Sequence, residues 1–493
     1  MTISRNRKAL LSIKTLLACI AVFTSIESVA DAQKAVDSLS EQILPVSIRS
    51  VLKHRNIPVD SLSLYVVDLK NSETLLSWNE GESKIPASTI KILTTLVALE
   101  ELGPNYKWKT DVHLLGDIDT DKNTLQGDLL LKGYGDPFLV SSRVWQLIHY
   151  LQSREIKNID GNLLLDDSFF KIADYDPSAF DNEPLRAYNV EPNALMMNFK
   201  VINYFFYPDD SSKNVQIYMD PSIEDLQIIN RLSTVDGECR GYQRGITISP
   251  NEKYNKFIFS GEFPRDCNEY SMSRMALTHN EYTYGLFKSI WEESGGELKG
   301  GWKNVKSDIE VEPFLSFDSL SLAEVIKSIN KFSNNVMAKH LLLTLAAEKF
   351  GQPGTENNGR KVIKNWLERK NIDSENLVID NGSGLSRKAR INAKQLVDLL
   401  VYAYKSPYMP EFISSLSLSG MDGTMSHRFN NEELTGMVHL KTGRIDHVIS
   451  MAGYIQSQSG ERYAVALIQN YEDIHKGFGE EIQEALLRWI SEQ

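Results

Sequence analysis

His439-Leu440-Lys441-Thr442-Gly443-Arg444-Ile445 reads as a strand, and two more strands follow it at 450–456 and 462–470. Ser459-Gly460-Glu461 marks the turn between the last two. An amphipathic helix at 479–490 follows, with Ile482, Leu486, Leu487 and Ile490 on one face. The other end of the chain carries matching material. Residues 62–69 are rich in apolar and β-branched side chains, and 74–78 reads as their hairpin partner across Asn71-Ser72-Glu73. After Ile85-Pro86-Ala87 a helix spans 88–102, with Ile92, Leu96, Val97 and Leu99 near helical spacing, and Gly103-Pro104 stops it. Chain ends commonly lie side by side in a domain. A two-stranded start and a three-stranded end then join into one antiparallel five-stranded sheet with helices, an α/β architecture.

The middle of the chain has a different texture. Short apolar runs at 129–131, 163–165 and 217–219 alternate with Gly, Asp, Pro and Ser clusters, which points to inserted β-rich material. Helices return at 321–331, 335–350 and 359–370. The expected division is 1–32 as a signal peptide, 33–108 as the first part of the main domain, 109–271 as the insertion and 272–493 as the second part. At 493 residues, 42% hydrophobic and 24% charged, the chain is long and apolar enough to bury a core. A net charge of −12 argues against a nucleic-acid binder, which needs a basic face to neutralise phosphates.

Arg5, Arg7 and Lys8 precede an apolar stretch from about Thr15 to Ile26, and Ala30-Asp31-Ala32 offers a small-x-small cleavage site before Gln33. This is the pattern of export. A retained anchor, or a lipoprotein through Cys19, stays open as an alternative. Of the 3 cysteines, Cys19 leaves with the signal, and Cys239 and Cys267 remain as an even pair. A disulfide between them suits an oxidising compartment, and two unpaired thiols are the plainer alternative. No Cys-x-x-Cys or His-Glu-x-x-His spacing occurs, so neither metal nor cofactor is expected.

Three short motifs carry the chemistry. In Ser88-Thr89-Ile90-Lys91 the i,i+3 spacing puts both side chains on one helix face. Ser88 stands at the helix start, where free N–H groups favour developing negative charge. A serine hydroxyl needs a base, and a lysine desolvated against an apolar helix face has its pKa lowered toward that role. The same spacing occurs at Ser50, Ser168 and Ser328, but only Ser88 begins a buried helix after a proline. Ser333-Asn334-Asn335 lies between two helices and offers a hydroxyl and an amide. Lys441-Thr442-Gly443, which occurs once, offers a cation to a carboxylate, a hydroxyl, and a position where a ligand can lie against bare backbone. Alone, each has a plainer reading as a helix cap, a turn or a strand lysine.

Together and in this order the motifs are the signature of penicillin-binding proteins and class A β-lactamases. The chain resembles the D-alanyl-D-alanine carboxypeptidases of peptidase family S13, the low-molecular-mass class C penicillin-binding proteins. The long gap between Lys91 and Ser333 matches the large insertion of that family. Further matching segments are 133–137 (Gly-Tyr-Gly-Asp-Pro), 161–168 (Gly-Asn-Leu-Leu-Leu-Asp-Asp-Ser), 380–386 (Asp-Asn-Gly-Ser-Gly-Leu-Ser) and 420–424 (Gly-Met-Asp-Gly-Thr). The resemblance implies a transpeptidase-like, β-lactamase-like fold interrupted by a nested pair of β-rich domains. It implies Ser88 as acyl-enzyme nucleophile, Lys91 as its base, Ser333 and Asn335 in proton transfer and orientation, and Lys441, Thr442 and Gly443 at the substrate carboxylate. It also implies an oxyanion hole from the backbone N–H groups of Ser88 and Arg444, and Asp166 as a contact for the peptide side chain. Arg444 stands where the family usually has a small Ser or Thr, which bears on substrate choice and penicillin affinity. The implied partners are peptidoglycan stem peptides and β-lactams, in the periplasm, with loose membrane association and oligomeric state left open. A non-catalytic wall-binding scaffold and a serine β-lactamase are the competing functions.

Overall fold

The computed structural model describes residues 43–209, 213–239, 245–308 and 311–493. The expected signal segment 1–32 lies outside the described residues. The chain runs through α1 (Val46–His54), β1 (Leu62–Asp68), β2 (Thr74–Trp78) and α2 (Lys91–Leu102). Then come β3 (Lys107–Asp119), β4 (Thr124–Gly133), α3 (Ser141–Gln152), β5 (Leu163–Asp166) and β6 (Val201–Pro208). The sheet-rich middle continues with β7 (Val215–Asp220), β8 (Gln227–Val235), β9 (Ile246–Pro250), β10 (Lys256–Pro264) and β11 (Tyr270–Met275). It ends with α4 (His279–Glu293) and β12 (Leu315–Ser321). Helices α5 (Leu322–Lys331), α6 (Asn335–Phe350), α7 (Glu356–Arg369) and α8 (Ala393–Lys405) follow. The C-terminal strands are β13 (Ser417–Leu418), β14 (Val438–Ile445), β15 (Val448–Gln456) and β16 (Arg462–Asn470), with α9 (Phe478–Ser491) after them.

The two ends of the chain do share one antiparallel sheet, in the order β13-β14-β15-β16-β1-β2. The join is β1 on β16, from Leu62 opposite Gln469 to Asp68 opposite Tyr463. The sheet has one strand more than the five expected, because the two-residue β13 pairs with His439 and Leu440 of β14. Both faces of the sheet are covered, so β15 and β16 read as nearly unbroken apolar runs. Ala452, Ala464, Ala466 and Ile468 pack with α2, α5, α6 and α8 on one face. Met451, Val465 and Leu467 pack with α1 and α9 on the other. The alanines on the first face let the helices lie close to the sheet.

The insertion holds a seven-stranded sheet built on the β3–β4 hairpin, plus two three-stranded sheets, β11-β6-β7 and β9-β10-β8. Strand β12 pairs with β3, Leu315 opposite Val112, so the inserted sheet closes beyond residue 271. We propose on that pairing that the insertion be drawn at 107–321 in place of 109–271. Cys239 and Cys267 form a disulfide with Cα atoms 4.8 Å apart, 28 positions apart in sequence. It ties the chain after β8 to the chain after β10. Closing a loop of that length constrains the unfolded chain by about 3.5 kcal/mol. Replacing both cysteines by serine is expected to weaken hydrogen-exchange protection across 227–264. Protection equal to that of the parent protein would refute a stabilising role.

Candidate active site

Every residue from Lys91 to Leu99 is buried, so α2 is a core helix. It does not begin at Ser88 as the periodicity suggests. A 3-10 turn, Ala87–Ile90, precedes it, with Ala87 at φ +47. Thr89 Oγ1 and Ser450 Oγ both donate to the Pro86 carbonyl, at 2.8 and 2.6 Å, and clamp the turn to β15. Strand β14 presses on the turn at Gly443, where an added Cβ would lie 2.8 Å from the Ser88 backbone nitrogen and 2.8 Å from the Pro86 carbonyl oxygen. Gly443→Ala is therefore expected to displace Ser88 and slow its acylation by a penicillin about a hundred-fold. A rate equal to that of the parent protein would show that the contact yields without effect.

Lys91 Nζ is the centre of the site. It lies 2.9 Å from Ser88 Oγ and 2.6 Å from Asn335 Oδ1, and against the Ser383 carbonyl. Lys91 is fully buried, and burial drives its pKa well below the ordinary lysine value, helped by the nearby Lys441 and Lys339 charges. Asn335 is the first residue of α6, which Asn334 caps by accepting from the Met337 N–H at 3.0 Å. Ser333, at φ +59, turns the chain between α5 and α6 and faces the same cavity. The Ser383 carbonyl comes from the glycine-rich stretch 380–386. Gly384 at φ +80 packs there on Ala87, and Thr94 Oγ1 donates to the Gly382 carbonyl at 2.7 Å.

Lys441 is buried on β14, and burial lowers its pKa to about 7. Its Nζ donates to the Thr442 carbonyl at 2.7 Å. Thr442 Oγ1 donates to Thr424 Oγ1 at 2.8 Å, which brings the 420–424 segment to the end of the site. A cavity of about 770 Å³ opens beside these groups. Ser88, Ser333, Asn335 and Arg444 line it together with Asp181 and Tyr188 of the insertion. Lys441 and Thr442 are not in its walls. The Arg444 guanidinium pairs with Glu480 Oε1 at 2.9 Å, on the first turn of α9, so its charge is already matched.

Asp166 is not brought to this cavity. It is fully buried at the end of β5, where Oδ2 accepts from Ser307 N at 2.9 Å and Ser307 Oγ at 2.7 Å, and Oδ1 accepts from Ser168 N at 3.0 Å. Burial opposes its ionisation, but the hydrogen bonds from Ser168 and Ser307 prevail and hold its pKa below the usual carboxylate range. Its acceptors are spent on the fold. The inserted carboxylate that does face the cavity is Asp181. Among the described residues, His447, Asp473 and His475 form a group whose ligand atoms lie within 4.8 Å of one another. His447 Nδ1 accepts from Asp473 N at 3.0 Å and His475 Nδ1 from His447 N at 2.9 Å. Those lone pairs are engaged, which disfavours metal there.

Residues 44–493 match the D-Ala-D-Ala carboxypeptidase 3 (S13) family. The chain belongs to this family. This S13 protein is a serine-type D-Ala-D-Ala carboxypeptidase. It is 27% identical over 423 residues to a D-alanyl-D-alanine carboxypeptidase of Actinomadura sp. (strain R39), covering 82% of this chain and 77% of that one. Its fold is similar to penicillin binding protein 4 (dacB) of Haemophilus influenzae, with a TM-score of 0.76 at 20% identity, covering 91% of this chain and 100% of that one. That protein complexed with a novel β-lactam gives a TM-score of 0.72 at 19% identity, with the same coverage. A predatory endopeptidase of Bdellovibrio bacteriovorus aligns with a TM-score of 0.52 at 15% identity, over 87% of this chain and 92% of that one. The S13 carboxypeptidase thus has the transpeptidase-like fold expected from its motifs.

Proposed function

We propose that this S13 carboxypeptidase works through an acyl-enzyme on Ser88, trims and cuts peptidoglycan peptides, and is acylated at the same serine by β-lactams. The observation that carries the reading is the position of Lys91 Nζ, buried between Ser88 Oγ, Asn335 Oδ1 and the Ser383 carbonyl. A neutral amine has two N–H bonds and one lone pair. Asn335 and Ser383 take the two N–H bonds, and the lone pair remains for the Ser88 hydroxyl proton. Ser88 Oγ then attacks the carbonyl of the penultimate D-Ala, and its proton passes to Lys91. The oxyanion that forms is held by the backbone N–H groups of Ser88 and Arg444. The C–N bond breaks, the departing D-Ala amine takes the proton, and water later opens the ester.

Lys441 and Thr442 hold the terminal carboxylate, with Thr424 steadying the Thr442 hydroxyl. Among the described residues the outer edge of β14 has no partner strand beyond His439 and Leu440, which leaves room for a peptide to lie along it. The β-lactam complex of the H. influenzae protein supports the acylation reading, and the Bdellovibrio neighbour supports the cutting of cross-links. The export pattern of residues 1–32 supports a periplasmic location, and among the described residues no helix is long and apolar enough to cross a membrane. The test is purified protein on defined muropeptides. Free D-Ala from pentapeptide monomers and cleavage of D-alanyl cross-linked dimers are expected, and neither product from folded protein would refute the reading.

A further inference from the structure

Between β5 and β6 the chain runs along the cavity as a strap, residues 174–190, that contributes Phe180, Asp181, Ala187 and Tyr188 to the lining it shares with Ser88. The strap is internally braced. Both Asp181 carboxylate oxygens are used, one accepting from Tyr188 OH and one from Asn189 Nδ2, each at 2.8 Å. Tyr175 OH donates to the Asn189 carbonyl at 3.0 Å and so joins the two ends of the strap. The same hydroxyl accepts from Lys339 Nζ at 2.6 Å. Lys339 is one turn beyond Asn335 on α6, and that helix is buried from Val336 to Ala347. One side chain therefore connects the strap that lines the cleft to the helix that positions Asn335 against Lys91.

A lysine is an expensive choice at this place. Lys339 is only 4% exposed, and burial lowers its pKa to about 8 against the pull of Glu356, Asp380 and Glu191. A methionine of similar length would lie in the same site without a charge to desolvate. The ammonium is spent on Tyr175, both by the hydrogen bond and by its position 4.9 Å from the ring centroid. On the far side the strap is held more loosely, by Phe180 stacked 5.1 Å beneath the exposed Arg387 guanidinium.

We propose that Lys339, acting through the Tyr175 hydroxyl, is a positioning residue that fixes the strap at the distance from Ser88 required by an extended peptide. The inference rests on Ser88 as the nucleophile. A peptide long enough to reach Asp181 and Tyr188 depends on the strap, whereas a small β-lactam at Ser88 does not. Lys339→Met, Tyr175→Phe and the double variant are compared, each at its own pH optimum, on a D-Ala-D-Ala pentapeptide and on benzylpenicillin. For Tyr175→Phe the expected result is a KM for the peptide raised about tenfold, with kcat and the penicillin acylation rate within about twofold of the parent. Lys339→Met raises the peptide KM likewise and also moves the acid limb of both reactions to higher pH, because the Lys339 charge helps to lower the Lys91 pKa. The double variant raises the peptide KM no further than Tyr175→Phe alone, because that substitution already removes the Lys339 connection. An unchanged peptide KM, a parallel loss on both substrates, or additive losses in the double variant would overturn the proposal. Absence of a penicillin adduct on Ser88 in the parent protein would instead overturn the nucleophile assignment.

Discussion

Ser88→Ala is expected to abolish D-alanine release and covalent penicillin capture while leaving the fold unchanged. Removing the nucleophile of a serine hydrolase lowers turnover by about ten-thousand-fold or more. The structural consequence is small, because among the described residues the hydrogen bond of Ser88 Oγ is with Lys91 Nζ at 2.9 Å. Lys91 keeps Asn335 and the Ser383 carbonyl as acceptors, so no buried donor is stranded. Ser88 is only partly buried and belongs to none of the hydrophobic clusters, so the lost hydroxyl opens no cavity in the core. Intact mass after incubation with a β-lactam should show one adduct on the parent protein and none on the variant, with matching thermal melts. An adduct on the variant, or retained D-Ala release, would mean that another residue is the nucleophile.

The sequence is most legible where burial leaves a continuous signature. Strands β15 and β16 are covered on both faces, so their apolar runs stand out and the sheet they form with β1 follows from chain-end proximity. Lys441-Thr442-Gly443 is legible because it occurs once, and Ser88 because a proline and a buried helix frame it. The Ser383 carbonyl is less so. A backbone acceptor has no side-chain signature, and only the glycines of 380–386 hint that main chain comes close. Asp166 is ambiguous in the sequence. A carboxylate at a strand end looks the same whether it meets a substrate or caps a loop, and its partner Ser307 is 141 positions away. Asp181 and Tyr175 act from a strap with little regular structure, so no periodicity points to them. Lys339 sits in an apolar helical run where a single lysine reads as a surface position, and only the packing of the insertion against α6 buries it.

Lys91→Met should cost about a hundred- to ten-thousand-fold in acylation, the usual range for a general base, and should also remove the acid limb of the pH profile. Both effects follow from one proton. Lys91 can accept from Ser88 only as a free amine, and burial with two cationic neighbours moves that form to a pH well below the ordinary lysine range. In the proposed mechanism Lys441 has the opposite requirement, since a lysine must be charged to hold a carboxylate. Its pKa of about 7 means that kcat/KM for a carboxylate-ended peptide falls as pH rises through about 7. Bound carboxylate favours the charged form, so kcat should fall only at higher pH than kcat/KM. Unfolding is not the cause of this alkaline loss. The unfolded chain holds the Lys441 proton up to about 10.5 and the folded chain releases it near 7, so the Lys441 contribution to stability rises with pH across that window. Activity and stability should therefore move in opposite directions there. In the Lys91→Met variant the alkaline limb remains and the acid limb disappears. An acid limb that survives the substitution would assign the base to another group.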